Sequence, residues 1–286
     1  MGTLYVVATP IGNLEDLTAR ARRVLGEVGL VAAEDTRRTG HLLAHLGLRT
    51  PLTSYFEHNK LAKLDHILSA LEAGDVALVS DAGTPNLSDP GFELVRAALA
   101  AGHAVVPVPG ASALLAALVT SGLPTDAFVY LGFLPRKPAE RRSLLAGVAR
   151  EPRTLVAYEA PHRLLETLAE VQAQLGDRPM AVARELTKLH EEIYRGPVSA
   201  AQRHFAAGEV LGEITLVIGG APAVAEAAWP EAQVQAEVAQ LVAGGLRVKE
   251  AAKLVADRAG WPQRDVYRLA VASASTAEPP APSPEP

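Results

Sequence analysis

The stretch VSDAGTPNLSDPG, residues 79–91, is the key to the architecture of this chain. A short apolar run, VALVSD at 76–81, leads into it as a buried strand. The segment behind that run is crowded with Gly, Pro, Asp and Ser, residues that set unusual backbone angles or let a ligand reach the main chain. A strand ending in such a loop predicts a binding edge, because ligands of open parallel sheets lie beyond the carboxyl ends of the strands.

On either side of this segment, strand and helix signals alternate. TLYVVAT (3–9), LVAAED (30–35) and AVVPVPG (104–110) read as further strands. LEDLTARARRVLGEV, RTGHLLAHLG, LAKLDHILSALEAG, ELVRAALAAG and ASALLAALVTSG read as the helices between and after them. This alternation predicts a mostly parallel sheet covered by helices. Four loops then share one sheet edge: ATPIGNLEDLT, AEDTRRT, SDAGTPNLSDPG and PVPGASA. In the third, Asp89 with Pro90 reads as a helix N-cap.

GLPTDAF at 122–128 reads as a crossing into a second domain. Strand FVYLGFL, a basic loop PRKPAERR, helix SLLAGVA and strand TLVAYEA come next. Helix RLLETLAEVQAQLG, strand MAVARELT and a final strand pair near EEIYRGP and GEITLVIGG complete a mixed sheet. Residues 232–274 are helical throughout, with Gly turns that suit a small helix-turn-helix-like module. The tail from 275 to 286 is Pro-rich and acidic and is expected to be disordered. The expected organisation is therefore an N-terminal α/β domain (1–121), a second α/β domain (122–222), the helical module and the tail.

Composition narrows the function. The chain has 286 residues, 49% hydrophobic, with a net charge of -5 and no Cys. Disulfides, thiolate chemistry and Cys-ligated metals are excluded. The start, MGTLYVVATP, lacks a basic n-region and a long apolar run, so the expected compartment is the cytoplasm. No apolar run approaches membrane-spanning length. The loops hold neither G-x-G-x-x-G nor G-x-x-x-x-G-K-[ST], which argues against dinucleotides and triphosphates. Acidic Asp81 beside small Gly83, Thr84, Ser112 and Ala113 suits a ligand with hydroxyls, an amine and positive charge.

Eight motifs occur in order: LYVVATPIGNLEDLT, AAEDTRRT, SYFEHN, LVSDAGTPNLSDPG, VPGASA, GFLPRK, YEAPHR and ARELTK. Together they resemble the ribosomal RNA small subunit methyltransferase I family, of the tetrapyrrole-methylase-like class of S-adenosylmethionine enzymes. The resemblance runs from about residue 3 to 220 and extends to the helical module. It implies two α/β domains with S-adenosylmethionine in the cleft, a homodimer, and 2'-O-methylation of a cytidine in the decoding centre of 16S rRNA. It implies cofactor contacts from Asp81, Gly83 and Thr84, with Pro10, Gly12, Ser112 and Ala113 lining the cavity. Tyr158 and Ala183 would join them from the second domain.

Methyl transfer from a sulfonium rests on orientation and electrostatics supplied by the protein. Base candidates are Glu34, Asp35, His58, Glu159, Glu185 and Lys188, with Glu185 and Lys188 ahead. Against each stands a structural alternative: Glu34 could pair with Arg37 or Arg38, Glu185 with Lys188, and His58 could be a hydrogen-bonded loop residue. His41 and His45 have metal-ligand spacing, but a solvated helix face is the plainer reading, and no metal is expected. Arg136, Lys137, Arg141 and Arg142 in PRKPAERR are candidate RNA contacts, with Arg20, Arg22 and Arg23 and the cations of the helical module. A charge run is otherwise a solvated face.

Two rivals remain. A methyltransferase acting on a tetrapyrrole shares the fold but does not need the helical module. A ligand-sensing DNA-binding regulator would use that module but does not need motif loops in both domains. An acidic enzyme is expected to act on a largely assembled small subunit rather than on free RNA, with no membrane and no DNA among its partners.

Overall fold

The computed structural model describes residues 2–222 and 229–275. They fall into two compact units, divided between Ala221 and Pro222. The tail expected to be disordered lies, beyond residue 275, outside the described residues.

The first unit contains two five-stranded sheets. The first sheet is built from β1 (Thr3–Val7), α1 (Ala19–Glu27), β2 (Leu30–Ala33), α2 (Thr36–His45), β3 (Leu52–Ser54), α3 (Lys60–Ala73), β4 (Val76–Val79), α4 (Phe92–Ala100) and β5 (Ala104–Val108). Its order is β3-β2-β4-β1-β5 and every pairing is parallel. Strand β4 is buried at all four positions, the pattern of a central parallel strand covered on both faces. Val24, Leu25 and Leu43 of α1 and α2 pack on one face, and Ile67, Leu71 and Leu94 of α3 and α4 on the other. The three-residue β3 is an addition to the sequence reading, too short for a hydrophobic pattern to mark it.

Helix α5 (Ala113–Thr120) links the two sheets. Its sequence, ALLAALVT, is apolar all round, which marks a helix with more than one neighbour to cover. Leu114, Ala117 and Leu118 pack against Val156, Ala181 and Val217 of the second sheet. Each buried leucine there contributes about 2 kcal/mol.

The second sheet comprises β6 (Phe128–Phe133), α6 (Pro138–Gly147), β7 (Thr154–Glu159), α7 (Leu164–Leu175), β8 (Pro179–Arg184), β9 (Glu192–Pro197), α8 (Val198–Phe205) and β10 (Ile214–Ile218). Its order is β6-β7-β10-β8-β9, mixed in direction as expected. The last two strands do not pair with each other. Fully buried β10 inserts between β7 and β8, while β9, with its partly exposed residues, takes the edge.

The basic segment PRKPAERR is not a loop throughout. Pro138 begins α6, where its missing N–H costs nothing. Arg141 thereby turns inward and is fully buried. Its Nε meets Glu170 at 2.5 Å and its Nη2 meets Glu166 at 2.9 Å. Arg141 is therefore a core ion-pair residue and not an RNA contact. Arg142 is half-exposed and shares Glu170 at 3.1 Å; Arg136 and Lys137 are exposed, and Lys137 meets Glu140 at 2.8 Å.

The second unit holds α9 (Glu231–Ala243), α10 (Val248–Ala259) and α11 (Gln263–Ser275). Val234, Val238, Val255 and Val266 form a core of its own. Gly260, at φ 65°, ends α10 in the left-handed conformation. Trp261 donates its indole N–H to the Trp229 carbonyl at 2.8 Å.

Candidate active site

Four loops meet beyond the carboxyl ends of β1, β2, β4 and β5, and the loop after β4 is tied to each of the other three. Its Gly83 exchanges both backbone hydrogen bonds with Thr9 after β1, at 2.8 and 3.0 Å. Thr84 Oγ1 donates to the Ala111 carbonyl after β5 at 3.2 Å. The Asp35 N–H after β2 donates to Asp81 Oδ1 at 3.0 Å, and the Asp81 N–H donates to Glu34 Oε2 at 3.2 Å. The cost of this path shows in the backbone: Gly83, Asn86 and Ser88 sit at φ 81°, 74° and 68°. Only glycine takes such angles freely. Ser88 Oγ then bridges to the Tyr130 hydroxyl on β6 at 2.7 Å.

Between the two sheets lies a cavity of about 400 Å³. Asp81, Gly83 and Thr84 line it from one side, with Ser112 and Ala113 at the start of α5. Tyr158 on β7 and Ala183 on β8 line it from the other. The structure thus brings seven of the sequence-predicted cofactor residues to one space. It also brings in two of the base candidates, Glu34 and Glu159, and adds Asp89, Phe133 and Thr215, which the sequence does not mark as cofactor contacts.

Asp89 is a correction. The residue at the N-cap of α4 is Gly91, at φ 154°, and Asp89 faces the cavity instead. Burial pushes its carboxyl up to about 6, with the negative charge of Glu34 adding to the effect. Burial also raises Glu34. Five acidic residues, Glu34, Asp81, Asp89, Glu159 and Glu213, therefore line one cavity, with the guanidinium of Arg38 3.4 Å from Asp81. Such a wall suits a cationic ligand and disfavours an anionic one.

A second cavity, of about 330 Å³, adjoins the first. Pro10 and Gly12 belong to this one and not to the larger. Ile11, Arg38, Asp81, Ala82 and Glu213 line both and form the wall between them. Beyond that wall the smaller cavity is lined by Thr39, His41 and Leu42 of α2, and by Lys188.

The predicted bases divide. Lys188 Nζ meets Glu185 at 2.8 Å and Glu213 at 3.1 Å. Burial alone would lower its pKa, but those two carboxylates outweigh it and the net shift is upward. Lys188 is a held cation and not a base. Glu185 is shifted downward, first by its hydrogen bond to Lys188, and lines neither cavity. The structural alternative holds for this pair. His58 is exposed in the turn after β3 and lines neither cavity. Glu159 is buried and spends its carboxylate on Thr167, Arg163 and the Ala160 N–H. Asp35 caps α2 and pairs with Arg37 at 2.7 Å.

The tetrapyrrole (corrin/porphyrin) methylase family matches residues 3–202. Among solved structures, a uroporphyrin-III C-methyltransferase from Thermus thermophilus, complexed with S-adenosylhomocysteine, superposes with a TM-score of 0.54 at 24% identity. It covers 77% of this chain and 97% of its own. A cobalt precorrin-4 methyltransferase of cobalamin biosynthesis superposes with a TM-score of 0.58 at 16% identity, over 76% of this chain and 94% of its own. Fold and site together define a protein of the tetrapyrrole methylase class.

Relatives in sequence are more specific. Ribosomal RNA small subunit methyltransferase I of Synechocystis is 48% identical over 95% of this chain and 98% of its own. The protein of that name from Pseudomonas aeruginosa is 49% identical over 94% and 97%. The chain belongs to the ribosomal RNA small subunit methyltransferase I family.

Proposed function

We propose that this protein methylates the ribose 2'-hydroxyl of a cytidine in the decoding centre of 16S rRNA, using S-adenosylmethionine. The observation that carries the reading is the carboxylate-lined cavity between the two sheets, in a chain related to that family along almost its whole length. S-adenosylmethionine supplies a methyl group on a cationic sulfonium. The cavity fits it: Glu34, Asp81 and Asp89 offer negative charge, and Thr84 and Ser112 offer hydroxyls. Apolar Ala113, Ala183 and Phe133 offer walls against which a flat base can lie.

The chain's own contribution is orientation and exclusion of water. Alignment of two reactants is worth about 7–11 kcal/mol, more than a proton acceptor alone supplies. The bridges from Thr9, Asp35 and Ala111 fix the loop that carries Asp81, Gly83 and Thr84, so the site is formed before ligand arrives.

Exposed cations serve the RNA side. Arg136, Lys137 and half-exposed Arg142 lie on the first unit, and Lys249 and Lys253 are exposed on α10. With a net charge of -5, the protein acts on the assembled subunit more readily than on free RNA. Leu115 and Val119 of α5 are 51% and 69% exposed, an apolar face that a second copy of the chain covers in a homodimer. Among the described residues no helix is long and apolar enough to cross a membrane.

The test is transfer of labelled methyl from S-adenosylmethionine to small subunits lacking the modification, in parallel with protein-free RNA. Label in a nuclease-resistant 2'-O-methylcytidine establishes the reading. Binding of the cofactor without labelling of either RNA overturns it.

A further inference from the structure

The two adjoining cavities differ in character. The larger is lined by five acidic residues, of which only Asp81 and Glu213 also reach the smaller, and it receives the cationic cofactor in the proposed function, on which this inference rests. The smaller has a different lining. Pro10, Leu14 and Leu42 give it apolar walls, and His41, Arg38 and Lys188 stand around it as polar or cationic groups. Lys188 is held charged by Glu185 and Glu213. Apolar faces with cations beside them fit a nucleotide, whose base stacks and whose phosphates need positive charge. A volume of about 330 Å³ admits one nucleotide and not a helical stack of several.

The two cavities meet at the residues that line both. These are Ile11, Ala82, Arg38, Asp81 and Glu213. The two carboxylates there differ in commitment. Glu213 is 71% exposed at its side chain and pairs with Lys188. Asp81 is largely buried at 26% exposure, fixed through Oδ1 by the Asp35 N–H, with its Oδ2 3.4 Å from Arg38. The residue is held at both its side chain and its main chain, since its own N–H donates to the Glu34 carboxylate. A carboxylate so fixed can hold a hydroxyl in line with a reacting carbon.

We propose that the smaller cavity is the subsite for the target nucleotide, flipped out of its RNA, and that its 2'-hydroxyl lies against the Asp81 carboxylate. In the transfer the 2'-oxygen forms a bond to the methyl carbon as the carbon–sulfur bond breaks. The electron pair of that bond stays on sulfur, and the hydroxyl proton passes to Asp81. One positive and one negative charge disappear together, leaving a thioether, a methyl ether and a carboxylic acid. Arg38, on the same wall, holds the Asp81 carboxylate until the proton arrives.

The experiment compares variants of the two cavities in the full-length protein, reading cofactor Kd by calorimetry and KM for small subunits by methyl transfer. His41→Ala and Leu42→Ala touch only the smaller cavity, and Ala113→Leu narrows only the larger. The first two raise the subunit KM about tenfold and leave cofactor Kd unchanged; the third weakens cofactor Kd. Asp81→Asn lowers kcat by about a hundredfold or more, with subunit KM little changed. An unmoved subunit KM in both small-cavity variants, or a cofactor Kd that moves with it, overturns the subsite. An Asp81→Asn enzyme with wild-type kcat overturns the role of Asp81. Failure of the wild-type protein to methylate small subunits at all would instead overturn the function on which the inference rests.

Discussion

The backbone N–H of Asp81 donates to the carboxylate of Glu34 across 3.2 Å, so the acidic residues that follow β4 and β2 are locked together on one side of a cavity. Asp89 adds a third. This concentration of charge dictates a pH dependence.

Asp89 has an ordinary value of 3.8 and a folded value of about 6, raised by burial and then by Glu34. Asp81, Arg38, Glu159, Glu213 and the hydroxyls of Tyr130 and Tyr158 also border or face the cavity. The folded state binds the proton more tightly than the unfolded chain. The charge therefore costs stability above pH 6, and that cost fades to nothing below the ordinary value. Asp89→Asn should gain about 1–2 kcal/mol at pH 8, after discount for partial solvation, and nothing at pH 3.5. Urea unfolding at the two pH values checks it; an equal effect at both removes Asp89 as the cause. Cofactor affinity should weaken as pH falls through about 6, because a cation then meets one charge fewer.

Arg141 is buried with Glu170 and Glu166. Arg141→Ala leaves Glu170 buried without its closest partner and should cost about 3–5 kcal/mol. The measurement is the thermal midpoint. Arg136→Ala on the exposed turn should leave that midpoint unchanged and weaken subunit binding at low salt. The opposite pattern would return Arg141 to the RNA surface.

Gly212 sits at φ 91°, and a Cβ there would collide with Cγ and Cδ of Glu185. Gly212→Ala forces that carboxylate off Lys188 and off the Glu213 N–H, to which it is bonded at 2.9 Å. A loss of about 1–3 kcal/mol is expected from the strained backbone and the displaced side chain. In a Glu185→Ala background the same substitution should cost less, because the collision is gone. Equal costs in both backgrounds would show that the backbone angle alone matters.

Every residue lining the two cavities lies before residue 222. A chain ending at Ala221 should therefore bind cofactor as the full chain does. Its transfer to small subunits should be weaker, with a shallower salt dependence, because the exposed Lys249 and Lys253 are gone. Loss of cofactor binding on truncation would show that the helical unit supports the site.

Much of this was legible in the residues. Buried strands such as VALV announce themselves by continuous hydrophobicity, and the Gly and Pro of the loops behind them announce a ligand edge. Pairing order was less legible. The insertion of β10 between β7 and β8 depends on contacts far apart in the chain, which no local pattern records. Charge was least legible. Arg141 and Arg142 are adjacent letters in one basic run, yet one is in the core and the other half-exposed, because a helix turns successive side chains by about 100°. Asp89 before Pro90 carries a cap signature, but Gly91 takes the cap and Asp89 turns to the cavity.

The position of β10 also sets a timetable. It is the last strand of its sheet to be synthesised and the middle one in space. Until Ile214–Ile218 has left the ribosome, β7 and β8 have no shared neighbour, and Tyr158 and Ala183 are not yet held opposite the loops of the first sheet. Chains made at about 5–20 residues per second spend several seconds with the first sheet formed and the second incomplete. The cavity between the two sheets is thus complete only late in translation, after most of the polypeptide already exists.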